Sequence, residues 1–205
     1  MVEKIILASS SPRRKEILEM LKIPFTVMPS DASEDTETEM APSELVSELA
    51  YRKCMDIKEK LEKSGEDVSR TLIIGCDTVV CYDGMIIGKP PDELHAALTL
   101  GVLSDSWHSV YSGLALCYGG VCETGAQRTD VKFREITEKE IARYVSSGEP
   151  MGKAGSYAIQ LVGASFAERI EGDYYNIVGF PVSLFTRMLA ARNIDICDIT
   201  EYRHD

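Results

Sequence analysis

The chain has 205 residues, a formal net charge of −11 and 44% hydrophobic residues, enough for one domain with a substantial core. The negative charge argues against nucleic acid or an anionic membrane surface as the main partner, while a local cluster of cations could still bind a small polyanion. No stretch approaches the ~20 apolar residues of a membrane span, and no signal-peptide core is present. We therefore expect a cytoplasmic protein.

Several common kinds of site have no support in the sequence. The six cysteines form no C-x-x-C pair and no zinc-ligand spacing, so we predict free thiols in a reducing cytosol. The three histidines form no metal-binding helix pair, and none accompanies a G-x-S-x-G nucleophile turn. A G-x-G-x-x-G dinucleotide motif is also missing. These absences argue against serine-hydrolase and nicotinamide or flavin chemistry.

A turn rich in serine and arginine follows the first predicted strand. Residues 5–7 fit a short buried strand, Ser11 suits a helix N-cap and Pro12 suits the first helical position. The turn Ser9 to Arg14 would direct backbone N–H groups, hydroxyls and a helix N-terminus toward one point, beside two guanidiniums. This pattern is typical of a phosphate site, and equally of a capped helix with two solvated arginines.

A second strand at 25–28 and an acidic loop at 31–39 are predicted to precede a long helix at 43–63. Lys53 lies on or beside the apolar face of that helix. This position fits either a lysine whose stem snorkels to solvent or a buried lysine held by an anion.

The middle of the chain predicts a mixed sheet. A strand at 72–76 is expected to end on Asp77, and Asp83-Gly84 predicts a hairpin between strands 79–82 and 85–87. That hairpin brings Lys89 into a loop before a helix at 92–103. Residues 107–118 and 121–133 then predict two long antiparallel strands, which are too long for an all-parallel doubly wound sheet.

The last third of the chain predicts further short elements. Thr137 and Glu140 form a capping box that opens a helix ending near Gly148. Short strands are predicted at 156–159, 164–170 and 174–178, and a last helix at 181–192. We predict an α/β fold over 1–205: a single domain of two lobes with an elongated, partly antiparallel sheet flanked by helices, and a frayed tail at 200–205.

Positive and acidic residues collect at the ends of these predicted elements. Phosphoryl transfer needs cations around the phosphate oxygens and carboxylates that hold a metal or orient water. Asp77 and Glu34 could supply the carboxylates, although Asp77 also fits an Asx turn or an N-cap. The set consists of Ser9, Arg13, Arg14, Glu34, Lys53, Asp77, Lys89, Lys153 and Gln160.

Six segments match, in order, the motifs of one known family. They are residues 9–14 (S-x-S-P-R-R), 75–80 (A-D-T-V-V), 88–90 (G-K-P), 108–113 (H-x-V-x-T-G), 148–160 (G-E-P-x-D-K-A-G-x-Y-x-I-Q) and 175–181 (N-V-V-G-x-P). Over nearly its whole length the chain resembles the Maf family of nucleoside-triphosphate pyrophosphatases, also called septum-formation proteins. That resemblance implies an ITPase/Maf-like fold with the active site in a central cleft, and a homodimer.

The resemblance also implies a reaction and roles for residues. A nucleoside triphosphate would be hydrolysed between its α and β phosphates, with Mg²⁺ or Mn²⁺ as cofactor. Asp77 would be the catalytic carboxylate and a metal ligand, Glu34 a second metal ligand that assists catalysis, and Lys89 both catalytic and substrate-binding. The other substrate-binding residues implied are Ser9, Arg13, Arg14, Lys53, Thr78 and Gln160.

Arg13, Thr78 and Gln160 match positions linked to pyrimidine selection, which implies dTTP and UTP, with modified pyrimidine nucleotides, as substrates. Two alternatives remain open at this point: a 7-methyl-GTP pyrophosphatase and a non-catalytic nucleotide-binding regulator of cell division. The chain departs from the family pattern at Gly152, where an aspartate is usual, and at Ser112, where threonine is usual. The missing carboxylate at Gly152 is the one feature that favours the regulator.

Overall fold

The computed structural model describes residues 2–35 and 40–201. Its strands are β1 (Lys4–Leu7), β2 (Thr26–Val27), β3 (Thr71–Tyr82), β4 (Met85–Ile87), β5 (Trp107–Tyr118), β6 (Val121–Phe133) and β7 (Ala167–Glu171). Its α-helices are α1 (Pro12–Met20), α2 (Pro42–Lys63), α3 (Glu93–Leu103), α4 (Glu138–Ser146), α5 (Tyr174–Val178) and α6 (Val182–Ala190). Across these described ranges, no helix is long and apolar enough to cross a membrane.

The strands form one mixed sheet. Its order is β2-β1-β3-β5-β6-β7, and β4 pairs with β3 outside this path. β1 runs parallel to both β2 and β3, whereas β4 is antiparallel to β3 and β7 is antiparallel to β6. The predicted mixed α/β fold with helices flanking the sheet is therefore confirmed.

The chain divides into two compact units. The first comprises the described parts of 1–77, 112–127 and 179–205, and the second comprises 78–111 and 128–178. In the first unit, α2 packs its apolar face against β1, β3 and β5. The buried cluster there is Ile6, Ala8, Ala50, Cys54, Ile57, Leu61, Ile73, Ala115 and Cys117.

Two glycines let α2 lie directly on the sheet. A Cβ at Gly75 in β3 would overlap the carbonyl oxygen of Ala50, and a Cβ at Gly113 in β5 would overlap the backbone of Val46. A glycine inside a strand commonly marks such a close approach of another backbone. The separation between α2 and the sheet therefore depends on these two positions having no side chain.

The second unit has an aromatic core around His108. Its ring lies edge-on to Phe133 and Tyr157, and its Nε2 is 2.9 Å from the Tyr157 hydroxyl. Burial lowers the pKa of His108 from 6.5 to about 4. The loop beside Tyr157 joins the loop after β4, because the N–H of Gly155 donates to the carbonyl of Gly88.

Three predicted elements are wrong. Residues 71–82 form one strand, so Asp77 lies inside β3 rather than at a strand end. Instead of a strand at 156–159, a 3₁₀ turn occupies Ala154–Ser156, and the N–H of Ala158 donates to the Tyr144 hydroxyl. Residues 174–178 are helical because Asp173 caps them, its carboxylate accepting from the N–H of Tyr175 (2.8 Å).

Two further expectations need correction. Only 167–170 of the predicted strand 164–170 is a strand, because a 3₁₀ turn covers Val162–Phe166. The carboxylate of Glu149 holds that turn by accepting from the N–H groups of Val162 and Gly163.

The prediction of six free thiols is also wrong for Cys117 and Cys122, which form a disulfide across the turn between β5 and β6. Residues 36–39 of the predicted acidic loop and 202–205 of the predicted tail lie outside the described ranges.

Candidate functional site

One lysine bridges two predicted site carboxylates in the first unit. The Nζ of Lys53 donates to Oδ1 of Asp77 at 2.6 Å and to Oε1 of Glu34 at 2.7 Å. The side chains of Lys53 and Asp77 are only 11% and 12% exposed, whereas that of Glu34 is 56% exposed. The sequence left open whether Lys53 snorkels to solvent or is held by an anion, and the structure supports the second alternative.

The close approach of α2 to β3 explains this contact. Gly75 and Asp77 lie on the same face of β3 because side chains alternate along a strand. Ala50 and Lys53 lie on the same face of α2 because they are three residues apart. Gly75 contacts the carbonyl of Ala50. The next residue on that face of β3 is Asp77 and the next on that face of α2 is Lys53, so these two side chains also meet.

Asp77 lies in β3 between the residues that pair with β1 and those that pair with β4. β1 pairs with residues 71–74 and β4 pairs with residues 80–82, so Asp77 lies between the two paired segments. The chain after β1 then turns away into the loop that contains Ser9. Asp77 therefore lies beyond the carboxyl end of β1, the kind of position at which open α/β sheets bind ligands.

Arg14 organises the turn between β1 and α1. It is buried, its Nη1 donates to Oγ of Ser9 (2.9 Å), and its Nε donates to the carbonyl oxygen of Gly179 (2.9 Å). The Ser9 Oγ accepts a second bond from the N–H of Ser11 (3.2 Å). With both acceptor positions of Ser9 used, its hydroxyl hydrogen is what it can offer to a ligand.

The arginine turn and the lysine-carboxylate cluster are connected through Cys76. Its Sγ lies 3.2 Å from the carbonyl oxygen of Gly179, the same atom that accepts from Arg14. Burial raises the pKa of the Cys76 thiol, while the nearby Arg14 acts in the opposite direction. Since Asp77 follows Cys76 in β3, the first unit joins Ser9, Arg14, Asp77, Lys53 and Glu34 in one continuous network.

Arg13 differs from Arg14 in its surroundings. It is partly exposed at the start of α1, after the N-cap position Ser11, whose hydroxyl makes no capping bond. Burial and then the neighbouring charge of Arg14 lower the pKa of Arg13. Two adjacent guanidiniums at a helix N-terminus produce a concentrated positive potential, which favours an anion there.

The remaining predicted residues belong to the second unit. Thr78 lies in β3 and is partly buried, Lys89 is exposed in the loop after β4, and Gln160 is partly buried in a turn. Lys153 donates to the backbone carbonyl of Glu149. Gly152 is exposed with a φ of +72°, a left-handed conformation that glycine adopts without strain.

The donor chemistry of the first unit suits a magnesium-type cation. Carboxylate oxygens are the hard ligands that Mg²⁺ and Mn²⁺ prefer, and those of Asp77 and Glu34 already converge on a cation, the Lys53 ammonium. Within 2–35 and 40–201, no group of three or more His, Cys, Asp or Glu side chains could hold a metal ion. A pair of carboxylates fits an ion that keeps several waters and binds substrate phosphates.

The sequence did not identify two participants in this network, the carbonyl oxygen of Gly179 and the thiol of Cys76. Backbone acceptors leave no residue-type signal, so Gly179 could have been suspected only from its place in the segment 175–181. This arrangement of cations and carboxylates on an α/β sheet is of the kind that binds and hydrolyses phosphorylated ligands.

The comparisons with known proteins agree with that class. A family model described as "Maf-like protein" matches residues 4–192, and the chain belongs to this family. Proteins named dTTP/UTP pyrophosphatase from Bacillus cereus strain AH820 and from Bacillus thuringiensis subsp. konkukian are 43% identical over 195 residues, covering 95% of this chain and 98% of theirs. A protein of the same name from Bacillus anthracis is 42% identical over the same span.

Among solved structures, the Ham1 protein of Staphylococcus aureus aligns with 64% of this chain and 72% of its own at 10% identity. The TM-score of this alignment is 0.39.

Proposed function

We propose that this protein is a metal-dependent pyrophosphatase that hydrolyses dTTP and UTP between the α and β phosphates, releasing a nucleoside monophosphate and pyrophosphate. Three of its relatives with that printed name are 42–43% identical over 95% of the chain. The structural observation that carries the proposal is the buried contact between Lys53 and Asp77, extended by Glu34. It supplies, at one point, the cation and carboxylates that phosphoryl chemistry requires.

In this proposal, positively charged side chains bind the triphosphate. Arg13 and the hydroxyl of Ser9 act from the turn before α1, and Lys53 acts from α2. Lys89, in the second unit, stabilises negative charge on the departing pyrophosphate. Arg14 is a positioning residue in this proposal, because its Nε donates to the carbonyl of Gly179 and its Nη1 to the hydroxyl of Ser9.

Asp77 has the central role in the reaction. Its carboxylate orients the attacking water and accepts the proton that water loses as the bond to the α-phosphorus forms. A divalent cation held by Asp77 and Glu34 would supply positive charge to the phosphate oxygens. Burial of Asp77 limits competing contact with bulk water and strengthens its interaction with nearby cations.

Selection of the base is assigned to Arg13, Thr78 and Gln160, which match the family positions linked to pyrimidine preference. Each has a side chain that can hydrogen-bond to the polar edge of a base.

The test is release of pyrophosphate from a panel of dTTP, UTP, dCTP, GTP and 7-methyl-GTP with Mg²⁺ or Mn²⁺. We expect turnover of dTTP and UTP, and its loss in D77N while the circular dichroism spectrum is kept. The matched control is D56N, which removes a carboxylate paired with Lys60 elsewhere on α2 and should keep turnover. Preferential turnover of 7-methyl-GTP, nucleotide binding without turnover, or an active D77N would overturn the proposal.

A further inference from the structure

The Lys53 ammonium occupies the position in which a cation would bind the two site carboxylates. Its Nζ is 2.6 Å from Oδ1 of Asp77 and 2.7 Å from Oε1 of Glu34, so each carboxylate has one oxygen bound to the same nitrogen. An ammonium and a divalent cation placed together at this point would repel each other strongly, because both carry positive charge at close range.

Burial makes this ammonium necessary when no other cation is present. Asp77 is 12% exposed, and a carboxylate in such a place is costly unless an opposite charge compensates it. Lys53, at 11% exposed, supplies that charge. A divalent cation could take over the same compensation and would leave the ammonium without its two partners.

We propose that Lys53 and the divalent cation compete for the carboxylates of Asp77 and Glu34, so that metal binding releases the Lys53 ammonium for the triphosphate. This inference rests on the proposed function, because it assigns the released lysine to the substrate phosphates. It makes the two ligands interdependent. Metal binding frees a phosphate-binding group and so raises the affinity for the triphosphate. By linkage, the triphosphate raises the affinity for the metal by the same factor.

α2 contains a matched control for this lysine. Lys60 also bridges two carboxylates, donating to Asp31 at 2.7 Å and to Asp56 at 2.8 Å. Unlike Lys53, it lies in an exposed cluster, since the side chain of Asp31 is 88% exposed. The substitutions K53M and K60M therefore remove the same charge from the same helix, and only K53M removes a cation from the buried site.

The experiment measures Mn²⁺ affinity without nucleotide by titration calorimetry and by electron paramagnetic resonance of free Mn²⁺. We expect K53M to bind Mn²⁺ on the order of tenfold more tightly than the unchanged protein, and K60M to differ by less than about threefold. Unchanged or weaker binding by K53M, or an equal gain in K60M, would overturn the proposal.

K53M has lost the charge that compensates Asp77 and could unfold without metal. In that case Mn²⁺ itself is expected to restore the circular dichroism spectrum, with no such metal dependence in K60M. Failure of Mn²⁺ to restore the fold would also overturn the proposal. These readouts need no turnover, so they separate failure of this inference from failure of the proposed function, which the nucleotide panel tests.

Discussion

The buried Nε of Arg14 donates to the carbonyl oxygen of Gly179, 165 positions away in the sequence, at 2.9 Å. This bond joins the turn that opens α1 to the segment that leads into α6. The same guanidinium holds the hydroxyl of Ser9. The position of a predicted phosphate-binding serine therefore depends on a residue near the other end of the chain.

Replacement of Arg14 by methionine should destabilise the protein. R14M keeps a long side chain and leaves the Gly179 carbonyl and the Ser9 hydroxyl without this donor, so we expect a loss of about 3 kcal/mol in the free energy of unfolding. Urea unfolding measures this change. K15M, which removes an exposed cation from the next position of α1, should change stability by no more than about 0.5 kcal/mol. Equal effects of the two variants would contradict the positioning role.

His108 should make stability depend on pH in mildly acidic solution. Burial lowers its pKa from 6.5 to about 4, so the unfolded chain takes up a proton near pH 6.5 while the folded ring stays neutral. Its contribution is present above pH 6.5 and is lost as the pH falls from 6.5 to 4, at about 1.4 kcal/mol per pH unit, or roughly 3 kcal/mol in total.

The variant H108Q isolates this contribution, because an amide can still hydrogen-bond to the Tyr157 hydroxyl but does not titrate in this range. Urea unfolding at pH 7 and at pH 4 should show a smaller loss of stability in H108Q than in the unchanged protein. A loss of the same size in both proteins would show that His108 is not the group responsible.

The start of α4 should depend on its capping box. Oγ1 of Thr137 accepts from the N–H of Glu140, and the Glu140 carboxylate accepts from the N–H of Thr137. T137A should lower the free energy of unfolding by about 1 kcal/mol, because an N–H at the helix start loses its acceptor. Thermal unfolding will measure the effect, and T137S, which keeps the hydroxyl, should retain most of the stability. A T137S as unstable as T137A would show that the methyl group matters more than the cap.

Elements with strong local signals were predicted well. The strands at 107–118 and 121–133 and the hairpin at Asp83-Gly84 match the structure, because alternation and turn residues act over a few positions. Segments whose conformation depends on side chains distant in the sequence were predicted poorly. Residues 164–166 were predicted as the start of a strand, but they belong to a 3₁₀ turn whose first two N–H groups, those of Val162 and Gly163, donate to the carboxylate of Glu149. No local sequence pattern indicates that contact.

The candidate site was predictable in its residue types rather than in its contacts. The sequence placed Lys53 near an apolar helix face and Asp77 beside a buried strand, and the two meet. The wrong prediction of where β3 ends has the same cause as the failure to predict the Lys53–Asp77 contact: the sequence does not show which side chain lies opposite Asp77. Valines after Asp77 continue the strand, and an acidic residue interrupts it less than its polarity suggests, since a buried lysine compensates its charge.

Gly75 should tolerate no larger side chain. In G75A the new methyl group would overlap the Ala50 carbonyl and push α2 from the sheet, at a cost of about 1–3 kcal/mol in the free energy of unfolding. Turnover should fall as well, because Lys53 moves relative to Asp77. G101A provides the control: that glycine in α3 has no atom near its would-be Cβ, and alanine should stabilise the helix by about 0.5–1 kcal/mol. Urea unfolding and pyrophosphate release measure both effects, and a G75A with full activity would contradict the argument.

The missing side chain at Gly75 also bears on how this protein can change over generations. Residue 75 has no side chain of its own, yet its backbone contact with Ala50 sets the distance between the Lys53 ammonium and the Asp77 carboxylate. If Asp77 has the role proposed above, selection for turnover acts on Gly75 as strictly as on a reacting group. A mutation at position 75 would lower turnover although its direct effect is on the spacing between α2 and the sheet.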